Sequence, residues 1–279
     1  MDVNKPWPCL MILHGTVKNP TLTFYNVSDE NYQSKTPKEC RNKDMLWSYG
    51  EWVMLRDTIN SADFCLLNVL TMEILQLPSL DGSLSIRQVG PILSSPHPTT
   101  DTNCRVFLQI DTMKGLCLSC QMGAEQFHLQ NFNLDNMLMD AIILQGKMYG
   151  FTLTDRNLIC SDIKEGDPSS IQFRECINGA QELTDDKSLF WNNGRKILSH
   201  GIVRQDLDGA IFLDEWRSFC SCISGCGLKG NCIYFTGLDA TLHVYDLEDH
   251  GVIMPPPFRF TMKDPKLCWL LISNTSSPY

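Results

Sequence analysis

Short apolar runs alternate with polar turns along almost the whole chain, and the runs are too brief for helices. β-Branched and aromatic residues concentrate in them, which is the pattern of strands joined by tight connections. The runs predict strands at 22–27, 52–55, 64–69, 74–77, 104–110, 116–120, 141–144, 148–153 and 158–162. Further strands are predicted at 210–213, 232–236, 242–246, 251–254 and 268–272. No window sustains an apolar rhythm of 3.6 residues, so any helix is expected to be short. Hairpin-like phrases recur with their turn residues in step. One copy starts at Gly146 and runs through Tyr149, Phe151 and Asp155 to Leu158 and Asp162; another starts at Gly230 and runs through Tyr234, Phe235 and Asp239 to Leu242 and Asp246. A looser third copy starts at Gly50, passes Trp52, Leu55 and Asp57, and resumes from Phe64 to Asn68. The intervals between these starts each hold two units of roughly 40–50 residues, the length of a four-stranded propeller blade. A second echo links Tyr25–Asp29 to Pro37, Leu67–Thr71 to Pro78, and Tyr245–Asp249 to Pro255. Proline there suits a strand end or edge, because it cannot donate to a ladder.

These repeats imply an all-β fold, a β-propeller-like repeat domain of about five or six blades, antiparallel throughout. One domain is expected over 1–279, with a degenerate stretch near 178–205 that fits no blade and leaves completion of the ring open. The chain has 279 residues, enough to bury a full core. Its 43% hydrophobic and 20% charged content is that of a globular protein. A formal net charge of −9 argues against nucleic acid as a partner, since phosphate binding needs clustered Lys and Arg. No stretch reaches the ~20 apolar residues of a membrane span, and the N-terminus lacks the pattern of a secretory signal. A cytoplasmic or nuclear location is therefore expected, where the 13 cysteines stay reduced.

The phrase from Leu67 and Asn68 through Leu70, Thr71 and Glu73 to Leu77-Pro78 resembles one of a large plant family. So does Gly230–Thr236 followed by Val244–Asp249, and so do Pro6–Met11, Trp47–Val53, Ala210–Leu213 with Phe219, and Trp269-Leu270. That family is the F-box-associated proteins carrying a KIB-type β-propeller domain. The resemblance implies a non-catalytic protein-recognition module like the substrate-binding propeller of F-box ubiquitin ligases. It departs from the family in two places: no F-box is seen before Trp7, so a Skp1-type adaptor is not expected, and the strands usual between Asp162 and Gly209 are degenerate. The partner is then a protein of unknown identity. The alternatives are a propeller enzyme of hydrolase or lyase type, or a truncated gene copy without function.

Candidate chemistry is sparse. Cys117 and Cys120 have CxxC spacing, but on a strand they would face opposite ways, with no following helix. Cys220, Cys222, Cys226 and Cys232 form the densest thiol group and are the zinc candidates, although they lack the paired arms of common zinc modules. No other metal ligand, cofactor or catalytic residue is indicated, and the histidines are scattered. His243, between Leu242 and Val244, would face away from both. Trp52 and Trp269 are expected to pack between blades, while Trp191 and Trp216 stay open as surface anchors.

Overall fold

The computed structural model describes residues 7–27, 31–81, 92–95, 97–109, 116–131, 138–144, 147–152, 158–162, 174–177, 191–192, 195–196, 209–213, 218–222, 228–236, 242–246, 249, 251–253 and 266–272. All regular structure among them is β-strand, apart from one 3₁₀ turn at Lys38–Cys40. No helix among the described residues is long and apolar enough to cross a membrane.

The strands fall into successive small sheets. β1 (Trp7–Thr16), β2 (Asn19–Asn26) and β3 (Asn31–Lys35) form a meander. Then come β4 (Lys43–Tyr49), β5 (Trp52–Asp57), β6 (Phe64–Asn68) and β7 (Ile74–Gln76), in that spatial order. β8 (Ile92–Leu93), β9 (Arg105–Gln109), β10 (Leu116–Gln121) and β11 (His128–Asn131) make a third sheet. β12 (Leu138–Leu144), β13 (Lys147–Thr152), β14 (Leu158–Asp162) and β15 (Arg174–Ile177) make a fourth. A hairpin of β16 (Trp191–Asn192) and β17 (Arg195–Lys196) follows, the described part of the stretch predicted to be degenerate. The fifth large sheet contains β18 (Gly209–Leu213), β19 (Ser218–Cys222), β20 (Cys232–Thr236), β21 (Leu242–Asp246) and β22 (Gly251–Ile253). Finally β23 (Lys266–Ile272) returns to pair with β1, so the first and last strands of the chain lie side by side.

The recurring hairpins of the sequence occupy one position. β5–β6, β13–β14 and β20–β21 are consecutive neighbours in their sheets, each followed by one further strand at the outer edge. The antiparallel expectation fails at one place. β18 and β20 are parallel, and β19 lies on the far side of β18, giving the order β19-β18-β20-β21-β22.

The sequence pattern predicted β5 and β6 but not β4, although all three are buried through their centres. Every residue from Met45 to Ser48, Trp52 to Leu55 and Phe64 to Asn68 is buried, so these strands are covered on both faces. The outer strand β3 is polar and open to solvent over Asn31–Ser34.

Two compact units divide the chain: residues Met1–Val53, Leu67–Ile74 and Phe190–Tyr279, and residues Met54–Leu66 and Leu75–Leu189. In the first, the β1–β2–β23 face bearing Leu10, Ile12, Tyr25 and Trp269 packs on Ala210, Cys232, Tyr234, Leu242 and Val244. The two sheets thereby share one apolar core. Gly15 closes the β1–β2 turn at φ +94°, where a Cβ would meet the Asn19 carbonyl oxygen at 2.7 Å. In the second unit, Phe107, Leu108, Cys117 and Leu118 fill both faces of β9 and β10.

Trp269 is 3% exposed at the centre of the shared core. Trp269→Ala should cost about 3–5 kcal/mol of stability, the usual range for deleting a buried aromatic side chain. Urea denaturation followed by tryptophan fluorescence and far-UV circular dichroism measures this.

Candidate recognition surface

The thiols come first, because the sequence singled them out. Cys117 and Cys120 both lie on β10, three residues apart and so on opposite faces, and both are buried. Burial drives the Cys117 thiol far above its usual range. Burial also pushes Cys120 up to about 12, reinforced by the neighbouring Cys104. Two neutral thiols that cannot meet across a strand do not make a redox pair.

The zinc candidates do not converge on one strand. Cys220 and Cys222 are on β19 and Cys232 is on β20, with β18 running between them. Two strand spacings separate their backbones, about 9–10 Å. Cys232 is fully buried in the apolar core, and Cys226 lies outside the described residues. Among the described residues there is no group of three or more His, Cys, Asp or Glu placed to hold a metal ion.

The histidines serve their strands. The His243 ring stacks on Phe235 at 5.0 Å, facing away from buried Leu242 and Val244. His14 Nε2 is hydrogen-bonded to Thr23 Oγ1 at 2.9 Å, and Thr23 Oγ1 to Ser34 Oγ at 2.7 Å, a polar ladder across β1, β2 and β3. Burial lowers the His14 pKa below its ordinary value. Trp52 and Trp269 are buried as expected. The side chain of Trp191 and all of Trp216, His200, His250 and Asp206–Asp208 fall outside what the structure describes.

The carboxylates and amides at strand ends do shape the loops. Asn68, at the end of β6, accepts hydrogen bonds at Oδ1 from the backbone N–H groups of Leu70 and Thr71, at 3.0 and 3.1 Å. Asp246 ends β21 in the same way, accepting from Asp249 N–H at 3.2 Å while its other oxygen pairs with Lys229. Tyr234 OH fixes the Lys229 backbone through both its N–H and its carbonyl. At these two turns Asn68 and Asp246 accept from N–H groups that have left the strand ladder. Lys35 joins two turns of the first unit: its Nζ donates to the Val69 carbonyl at 2.7 Å and lies 4.9 Å above the Phe24 ring.

The β5–β6 loop turns the most exposed large apolar side chain among the described residues outward on a braced frame. Between β5 and β6, Asp57 Oδ1 accepts from Ile59 and Asn60 N–H at 2.8 and 3.0 Å. Asn60 Nδ2 donates to Asp63 Oδ2 at 2.8 Å, and Ser79 Oγ donates to Asp63 Oδ1. Backbone bonds from Asp57 N–H to Asp63 O and from Leu80 N–H to Ala62 O complete the frame. Ile59 stands at its tip, 81% exposed. Sequence reasoning passed over it, since one isoleucine in a polar turn carries no signal. The Asp57, Asn60 and Asp63 spacing was the visible trace of the frame.

The strand order and the in-phase hairpins define a β-propeller-type repeat protein. A family model described as "KIB1-4 beta-propeller" matches residues 24–198, more than half of the sequence, and the chain belongs to that family. No curated protein sequence matches it significantly. Among solved structures, it is similar to a chain of a nidogen/laminin complex at 12% identity and a TM-score of 0.45, covering 88% of this chain and 92% of that one. It is also similar to the dihydro-heme d1 dehydrogenase NirN in complex with DHE, at 8% identity and a TM-score of 0.36. A third similarity, to TolB from Acinetobacter baumannii, has 8% identity and a TM-score of 0.36. The alignments cover 88% and 93% of this chain but only 52% and 54% of those two proteins, about half their length.

Two outcomes test these local readings. Asn68→Ala should destabilise the protein by about 1–2 kcal/mol, read from the urea midpoint, because two N–H groups lose their acceptor; Asn68→Asp should recover most of the loss. The depressed His14 pKa means the folded state resists the proton that the unfolded chain accepts. Stability should therefore fall as pH drops through the ordinary histidine range near 6.5, and His14→Gln should flatten that part of the Tm–pH profile.

Proposed function

We propose that this chain is a non-catalytic protein-recognition module, a β-propeller that presents loops to a protein partner. The observation that carries the reading is the braced loop 57–63, which holds Ile59 in solvent on a hydrogen-bonded frame. A loop already ordered before binding loses little conformational freedom on docking, so an exposed apolar tip there is worth more than one on a slack loop. Membership of the KIB1-4 beta-propeller family supports the scaffold. The resemblance to F-box-associated proteins supports the finer reading, in which the partner is a substrate presented to a ubiquitin ligase. Net charge −9 disfavours nucleic acid as the ligand. The cysteine-rich composition fits a reducing cytoplasm or nucleus.

The test is affinity capture of the tagged protein from plant cells with mass spectrometry, beside a full-length F-box relative. A specific partner whose recovery falls about tenfold with Ile59→Arg, at unchanged Tm, is the expected result; such a loss corresponds to about 1.4 kcal/mol of binding. Recovery of only chaperones and proteasome subunits contradicts a recognition role. Co-purification of Skp1 and cullin subunits with the partner supports the ligase reading, and a partner without them supports a free-standing module.

A further inference from the structure

The third sheet buries several polar side chains on one face. Across β9, β10 and β11, Gln109, Cys117 and Gln130 lie opposite one another, and Phe107, Ser119 and His128 form the adjacent row on the same face. The intervening row, on the other face, is Leu108, Leu118 and Leu129. Ser119 is 1% exposed and Gln130 is 2% exposed. Neither the Ser119 hydroxyl nor either atom of the Gln130 amide meets a hydrogen-bond partner within the protein. Buried polar groups in this condition are heavily disfavoured, and proteins satisfy them with an internal solvent molecule where no side chain reaches.

The chemistry of the set selects the occupant. Ser119 Oγ can donate or accept, Gln130 Nε2 donates and Gln130 Oε1 accepts. Three contacts of mixed sense match the usual coordination of an internal water, which makes about three. No carboxylate, Lys or Arg lies in either row, and His128 is exposed at the rim, so nothing here compensates an ion. The unpartnered atoms are closed to bulk solvent, which leaves no path for a larger solute. The Cys117 thiol between the two glutamines is neutral and adds only a weak donor.

We infer that Ser119 and Gln130 form an internal water site that links β10 to the outer strand β11. The water completes the hydrogen bonding of the β10–β11 pair and holds β11 against the sheet, doing for side chains there what Asn68 and Asp246 do at their turns.

The experiment compares wild type with Ser119→Ala, Gln130→Met and the double variant, by thermal unfolding and by water-exchange NMR at the Gln130 side-chain amide. The expected result is a long-lived water cross-peak to that amide, and a Tm loss of about 2–4 °C for each single variant. The double variant should lose clearly less than the two losses added together, since either substitution alone breaks the bridge. A Gln130→Met variant that gains Tm with no water cross-peak in wild type overturns the site, because the amide would then be dry. Additive losses overturn it too. If the variants fail to fold, electron density of the wild-type crystal decides: a peak within 3.2 Å of Ser119 Oγ and Gln130 supports the site, and a protein atom there refutes it.

Discussion

The pairing of β1 with β23 is the constraint on which the first unit depends. Trp7 through Leu13 are matched residue by residue to Ile272 through Lys266. Without β23, the sheet of β1, β2 and β3 loses the neighbour that covers β1, and Trp269 leaves the core it shares with Leu10, Ile12 and Tyr25. The same core draws in Ala210, Cys232, Tyr234, Leu242 and Val244 from the sheet of β18–β22. Closing so long a loop costs chain entropy that grows only slowly with length. Contacts this distant in sequence nevertheless form late and slowly, so the closing strand is expected to be a kinetic bottleneck in folding.

Within the sheets the strands divide the labour. Inner strands such as β5 and β6 are covered on both faces and carry only packing. Outer strands such as β3 are polar, which keeps an exposed edge from pairing with another chain. Loops are left free to vary, and among them the β5–β6 loop is braced by Asp57, Asn60, Asp63 and Ser79. The thiols belong to the packed part. Cys9 is held up to about 12 by burial, offset in part by its bond to the Tyr25 carbonyl, and Cys268 Sγ lies 4.0 Å from Met45 Sδ.

The sequence made much of this legible, for physical reasons that particular strands illustrate. The in-phase hairpins were visible because two apolar strands flanking a polar, Asp-containing segment recur in the sequence at β5–β6, β13–β14 and β20–β21. β1 was not read as a strand. Cys9–Leu13 is buried without interruption, so it shows no alternation, and Pro8 precedes it. β3 and β11 were missed because they carry few apolar residues, and β4, β8, β15 and β19 were not among the predicted strands either. The parallel β18–β20 pair was illegible, since the direction of a strand depends on a connection whose path no local pattern records. For the candidate site, residue type pointed to cysteines, whereas the structure draws attention to Ile59, whose exposure depends on hydrogen bonds made by its neighbours.

The most direct measurement is hydrogen–deuterium exchange along the native chain, resolved to peptides. A first unit closed by the pairing of β1 with β23 requires that 266–272 exchange as slowly as 9–13, both only through unfolding of that unit. It also requires that the amides of Ile59 and Asn60 be protected relative to other exposed loops. Rapid exchange of 266–272 while 9–13 stays protected would contradict the closure of the first unit, and unprotected Ile59 and Asn60 amides would contradict the braced loop.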